Sequence, residues 1–306
     1  EFRELKRKGY LVKDKNGNTD IMNWWNGYSA CFDMTNPETV NYLEQQLKQL
    51  QNEFGIDGYK FDGGDVVYMQ GDYSFYDKNA TVNDLSEAWA AFGMKFPYNE
   101  LRTSWKLGGK EIVQRLGDKG YSWGDAASLI PQMTTAGLLG HAYTCPDMIG
   151  GGSFSQFMNI DSDKFNQELI VRSAQIHSLM PMMQFSVAPW RILNEENLKI
   201  VAETAHLHQR FGDYILEYAK IASTTGEPII RSMEYSYPHQ GYANCTDQFM
   251  LGDKYLVAPM VTSGTKRQVE LPKGRWKDDQ GKVHKGDKSI TIDVPLSRLP
   301  YFEKIK

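Results

Sequence analysis

Three cysteines in 306 residues, Cys31, Cys145 and Cys245, are odd in number and widely spaced, with no CxxC and no Cys/His cluster. That pattern argues against both a disulfide framework and a metal site. No run of about 18 apolar residues occurs and no charged-then-apolar leader opens the chain, so neither a membrane span nor a signal peptide is visible. Charge blocks are absent too. The formal charge of −4 comes from interspersed acids and bases, which excludes the polybasic face that nucleic acid or an anionic membrane surface needs. His206 and His208 lie two apart on a predicted helix and so point to different faces, a poor arrangement for sharing a metal. No internal repeat or low-complexity tract appears. The expected partner is small and neutral, and nothing calls for a cofactor.

What is present is an ordinary globular composition, 41% apolar, at a length that suits one large domain and one small one. Aromatic residues make up 12%, with 7 Trp and 17 Tyr. Flat amphipathic rings can form a pocket for the C–H faces of a sugar, although such rings are also ordinary core. Glu1 opens within what reads as a charged helix, Glu1 to Gly9, which implies sequence upstream and leaves the compartment open. Asn79-Ala80-Thr81 and Asn244-Cys245-Thr246 are glycan acceptors only in a eukaryotic secretory setting.

Periodicity organises the chain. Asn36-Pro37 opens a helix whose apolar stripe, Val40, Leu43, Leu47, Leu50 and Phe54, closes at Gly55. A strand-like run, Ile56 to Phe61, follows and ends at Asp62 and a double glycine. The rhythm recurs: Gly108 to Leu116 as a short helix or strand, Ser128 to Leu139 as a helix, His141 to Cys145 as a strand ending at Pro146-Asp147. After a glycine-rich loop at Gly150 to Gly152 come a helix from Asp163 to Leu179, a strand within Met180 to Ser186 and a helix from Glu195 to Ala222. Alternating helices and strands with acids just past strand ends fit part of a (β/α)8 TIM barrel, too short for eight strands. Beyond Pro228 the period changes to short strands separated by Gly, Pro and Asp turns, the mark of a small antiparallel β-sandwich. The expected division is 1–227, a partial catalytic barrel, and 228–306, a C-terminal sandwich.

Asp62, held at a strand end before Gly63-Gly64, can face open space as a nucleophile or can simply cap a turn. Lys60 lies on the same strand face two residues earlier, where an ammonium would favour a charged partner. A nucleophilic carboxylate needs a second carboxyl to protonate the leaving oxygen. Asp125 in Tyr121-Ser122-Trp123-Gly124-Asp125 is the best candidate, with helix N-cap as its competing role. Asp57, Asp65, Asp118 and Asp147 compete as well, and spacing does not choose among them. Arg102, Arg115, Trp24, Trp25 and Trp123 are candidate sugar contacts through hydroxyl hydrogen bonds and ring stacking, each with a structural role as the alternative.

A colinear series of motifs resembles glycoside hydrolase family 31. It runs from Trp24-Trp25-Asn26-Gly27 and Asp33-Met34-Thr35-Asn36-Pro37 through Gly58-Tyr59-Lys60-Phe61-Asp62, Trp123-Gly124-Asp125 and Pro146-Asp147-Met148-Ile149-Gly150-Gly151. It closes with Gly226-Glu227-Pro228-Ile229-Ile230-Arg231 and Asp247 to Asp253. The resemblance implies that Asp62 is the nucleophile and Asp125 the acid/base of a retaining exo-α-glycosidase, with no cofactor. It also implies that Arg115 contacts a substrate hydroxyl; Lys60 and Asp147 join Trp24, Trp25 and Trp123 as candidate sugar-lining residues. Gln184-Phe185-Ser186 stands where many α-glucosidases of the family carry Arg-Asn-His. Together with Pro189-Trp190 this is similar to a branch containing bacterial α-galactosidases, with α-glucosidase and α-xylosidase as the alternatives. The family's first three barrel strands and N-terminal β-sandwich have no counterpart here, so upstream sequence or a partner chain is expected to supply them. A non-catalytic carbohydrate-binding fragment is the reading from another class.

Overall fold

The computed structural model describes residues 1–151 and 165–305. The chain divides into two compact units, Glu1–Gln114 and Arg115–Lys306. The loop expected at Gly150 to Gly152 and the start of the helix expected from Asp163 fall partly outside the described residues.

The first unit opens with α1 (Phe2–Lys8), β1 (Lys13–Asp14), a hairpin of β2 (Met22–Trp24) and β3 (Gly27–Ser29), and α2 (Pro37–Phe54). α2 starts where Asn36 accepts the Glu38 N–H with Pro37 in the first turn, and it stops at left-handed Gly55, as the Asn-Pro and glycine signals predict. Val40, Leu43 and Leu47 of its stripe pack on the core, whereas Leu50 and Phe54 are exposed. β4 (Lys60–Phe61) is shorter than the run from Ile56 suggests. Just upstream, Gly58 is pressed against the Pro97 and Tyr98 carbonyls, where an added Cβ would sit 2.4 Å from an oxygen.

β5 (Tyr73–Ser74) pairs with β1, and α3 (Val82–Gly93) is opened by a reciprocal Thr81–Asp84 capping box. β6 (Glu100–Leu101) and β7 (Val113–Arg115) then line up parallel with β4, Lys60 opposite Glu100 and Leu101 opposite Gln114. Parallel neighbours need a crossover, and α3 supplies the one between β4 and β6. Phe61, Leu85, Phe92, Phe96 and Leu101 fill the core beneath them.

In the second unit α4 (Trp123–Leu138), β8 (Thr144–Cys145), β9 (Met148–Ile149), α5 (Gln167–Ser178), β10 (Gln184–Phe185) and α6 (Glu195–Thr225) continue the alternation. β9 and β10 are parallel, Met148 opposite Gln184. Every residue of α5 from Leu169 to Ser178 is buried.

The remaining elements are β11 (Ile230–Arg231), α7 (Met233–Ser236), β12 (Phe249–Leu251), β13 (Tyr255–Val257), β14 (Lys266–Leu271), β15 (Arg275–Asp278), β16 (Val283–Lys285), β17 (Lys288–Asp293) and β18 (Tyr301–Lys304). One sheet has the order β11-β12-β13-β18-β15-β16, and β14 pairs with β17. Alternate residues of β14, Val269 and Leu271, meet Leu256, Trp276 and Phe302 of the larger sheet in a closed apolar layer, the packing of a sandwich. This is the period-2 segment the sequence predicts.

Candidate active site

Asp62 stands one residue past β4, at the carboxyl end of a parallel strand, and its side chain is 47% exposed. Gly63 and Gly64 after it have φ of 80° and 81°, a turn open to glycine without the cost an L side chain meets there. Gly64 serves a second purpose, since a Cβ would lie 2.4 Å from Trp89 Cδ1 and 2.8 Å from Thr103 Oγ1. The close passage of backbone over indole brings α3 under the strand end.

Beside Asp62 the structure places a guanidinium. Arg102 Nη1 is 3.2 Å from Asp62 Oδ1, and Nη2 binds Asp65. Lys60, the cation expected at Asp62, reaches Glu100 on the neighbouring strand at 3.2 Å. Arg102, proposed from sequence only as a sugar contact, thus holds the carboxylate. Charge-assisted pairing of this kind fixes orientation as well as charge.

Asp62 and Asp65 border a cavity of about 280 Å3, lined also by Met22, Trp24, Cys31, Tyr68 and Trp89 among others. That is slightly below the range of about 300–1,000 Å3 for drug-sized ligands, a size for one sugar ring. Trp24 lies in the wall, edge-on to the more exposed Trp25 with ring centroids 5.3 Å apart. Trp89 was not among the residues singled out from sequence. Its buried indole Nε1 has no hydrogen-bond partner among the described residues. The signal for it was indirect: a glycine allows a close approach of backbone to a bulky neighbour without saying which one. Asp33 is structural, accepting from the Thr35 hydroxyl and the Tyr76 N–H, both at 2.6 Å.

The second cluster is built by Arg115, the loop after it and α4. The helix expected from Ser128 begins earlier, at Trp123, because Ser122 takes the N-cap position and accepts the Asp125 N–H at 3.1 Å. Asp125 therefore lies inside the first turn, not at the cap. The Ser122 hydroxyl donates in turn to Asp125 Oδ2, which leaves Oδ1 as the outer oxygen. Gly120 passes close behind, where a Cβ would be 2.8 Å from Oδ2. Trp123 packs partly into the core beneath.

Asp147 and Arg115, both expected at the sugar, form a buried pair. Asp147 is fully buried with φ 81°, a left-handed conformation that an aspartate tolerates better than most residues. Its Oδ1 accepts from Arg115 Nη1 at 3.1 Å and its Oδ2 from the Lys119 N–H at 2.7 Å. Arg115 Nη1 also reaches Asp118 at 2.7 Å. Burial pushes the Asp147 carboxyl up and the Lys119 ammonium down. Burial likewise pushes His177 down to about 4; its Nδ1 is 2.7 Å from the Ser173 carbonyl, and its Nε2 faces the Asp147 carbonyl without reaching hydrogen-bond geometry. This network fixes the backbone on which Asp125 sits.

Residues 1–218 match the TIM-barrel domain of glycosyl hydrolases family 31, and residues 226–305 match the family's C-terminal domain. The chain belongs to glycosyl hydrolase family 31. Among relatives of this family, it is 30% identical to the mouse myogenesis-regulating glycosidase over 98% of this chain and 44% of that protein. It is 25% identical to the Escherichia coli sulfoquinovosidase over 98% of this chain and 46% of that protein. A Flavobacterium johnsoniae family 31 dextranase complexed with glucose superposes with a TM-score of 0.83 at 25% identity, covering 99% of this chain and 41% of the other. The chain thus spans less than half the length of these family 31 relatives. Within the family architecture its residues match the TIM-barrel domain and the C-terminal domain.

Proposed function

We propose that this family 31 chain carries the two catalytic acids of a retaining exo-α-glycosidase, Asp62 as nucleophile and Asp125 as acid/base. The observation that carries the reading is Asp62 itself: a carboxylate at a parallel strand's carboxyl end, oriented by Arg102, in the wall of an aromatic cavity sized for one sugar. Asp62 attacks the anomeric carbon as Asp125 delivers a proton to the departing oxygen, giving a β-linked glycosyl-enzyme. Asp125 then takes a proton from the water that hydrolyses it. The Ser122 hydroxyl bond to Oδ2 leaves Oδ1 to carry the transferred proton. Trp24, Trp25 and Trp89 border the sugar. Lys60, Arg115, Trp123 and Asp147 act near it, Arg115 and Asp147 chiefly by holding the loop of Asp125. The proposed division is 1–227 for the barrel part and 228–306 for the C-terminal domain. The remaining barrel contacts come from upstream sequence or a partner chain.

For the sugar, the resemblance of Lys60-Phe61-Asp62, Pro146-Asp147-Met148 and Met183-Gln184-Phe185-Ser186 with Pro189-Trp190 to a branch containing bacterial α-galactosidases favours an α-galactoside. Likeness to a dextranase complexed with glucose favours an α-glucoside as the second reading. Nitrophenyl α-galactoside, α-glucoside and α-xyloside assayed on the naturally expressed protein distinguish them. Asp62→Asn should abolish turnover on whichever is cleaved with the melting temperature nearly unchanged, and proton NMR of the first-formed product should show the α-anomer. Substantial activity in that variant, or a β-anomer, overturns the reading.

A further inference from the structure

A cavity of about 370 Å3 lies on the C-terminal sheet under α6, built wholly within the second unit and from none of the residues assigned to catalysis. Its floor follows from register. Tyr255 of β13, Glu303 of β18 and Lys277 of β15 are directly opposed across three adjacent strands, so their side chains share one face. Tyr301, two residues before Glu303, shares it as well. Phe211 of α6 meets this face edge-on, with ring centroids 4.9 Å from Tyr255 and 5.4 Å from Tyr301.

The polar groups at the rim are of both signs. Glu303 is held between Lys277 at 2.6 Å and Lys254 at 2.8 Å, and Asp279 is held by Arg298 at 2.8 Å. Arg210, one residue before Phe211, is exposed and makes no ion pair among the described residues. A small ion of either sign would meet like charge here. A purely apolar ligand would strand the carboxylates and the guanidinium. What suits half-buried rings flanked by fixed acceptors and a free fork of donors is a neutral molecule with an apolar C–H face and a rim of hydroxyls.

We propose that this groove is a second saccharide-binding site, remote from the Asp62 cavity, in which Phe211 and Tyr301 face the sugar ring while Arg210, Glu303 and Asp279 bind its hydroxyls. The choice of ligand class rests on the reading of the chain as part of a carbohydrate hydrolase, whereas the existence of the site does not. Such a site retains an oligosaccharide near the enzyme and leaves hydrolysis of a small glycoside unaltered.

Saturation-transfer NMR with raffinose, maltotriose and isomaltotriose tests it on the naturally expressed protein, compared with Asp62→Asn, Arg210→Glu and Phe211→Ala. Arg210 is exposed, so its variant keeps the fold even if Phe211→Ala does not. At least one trisaccharide should bind Asp62→Asn, and binding to the groove should weaken about tenfold in Arg210→Glu, equivalent to about 1.4 kcal/mol. Nitrophenyl glycoside turnover should be the same in Arg210→Glu as in the natural protein. Undiminished transfer in both groove variants, or transfer to none of the three sugars, overturns the proposal. Failure of the catalytic assignment would appear separately, as turnover surviving in Asp62→Asn.

Discussion

At the scale of single residues, the division of labour between Asp62 and Asp125 makes different demands on the leaving group. Removing the acid by Asp125→Ala should slow glycosides with poor leaving groups by about 10²–10⁴-fold, the usual worth of positioned proton transfer. Nitrophenyl glycosides, which depart with little protonation, should lose far less; equal losses on both would contradict the acid role. His177 supplies a second test through pH. Its folded value, depressed to about 4 from 6.5, means the unfolded chain binds the proton more readily. Its contribution is therefore present above about pH 6.5 and is lost as pH falls toward 4, up to about 3 kcal/mol. Asp147 works in the opposite sense, since a raised carboxyl favours the folded state at low pH and loses that contribution as pH rises. Urea denaturation at pH 7 and pH 4.5 should show a steep acid loss in the natural protein and a shallower one in His177→Gln.

At the scale of elements, short loops after strands decide where the acids point. The segment between β7 and α4 is a case where neighbouring glycines have different work. A Cβ on Gly120 would reach to 2.8 Å of Asp125 Oδ2, while one on Gly117 would meet nothing within 4 Å. Because the clash is with the end of a side chain, Gly120→Ala should leave the melting temperature nearly unchanged but displace the carboxylate and lower kcat at least about tenfold, since a shift of about 1 Å in a catalytic group can cost more than that. Gly117→Ala is the control and should be close to natural in both. Similar kcat for the two variants would remove Gly120 from the positioning of Asp125. Helices α2 and α4 also show what propensity reads well and badly. The Asn36-Pro37 start and Gly55 stop of α2 are local chemistry and were legible. The start of α4 depended on which of Ser122 and Asp125 capped it, a choice made by a hydroxyl–amide contact three residues apart.

At the scale of the whole molecule, one buried arginine joins the last barrel helix before β10 to the C-terminal layers. Arg172 of α5 is 1% exposed; its Nη1 donates to the carbonyls of Pro295 and Arg298 at 3.4 and 3.1 Å, and its Nη2 to those of Gly264 and Val294 at 3.3 and 2.8 Å. Burial lowers its pKa, yet the two terminal amino groups of a fixed, always-charged fork suit these converging carbonyls. Arg172→Met would keep the bulk and leave the carbonyls without partners, so it should cost about 3 kcal/mol or more, read as a lower urea midpoint. A loss below about 1 kcal/mol would show that water replaces the guanidinium.

From the sequence alone came the alternation of helix and strand, the change to period 2 after Pro228, and an acid at a strand end before two glycines. These are local patterns, set by which side chains recur on one face and by the few residues that permit a sharp turn. The colinear motifs added the family. Tertiary structure alone decided that Arg102, forty residues along and one strand over, is the cation beside Asp62, and that Asp147 and Arg115 are buried against each other. It also decided that Trp89 lies under Gly64. Those facts depend on strand register and on how a helix crosses a sheet, which bring together residues far apart in the chain and leave no fixed spacing to read.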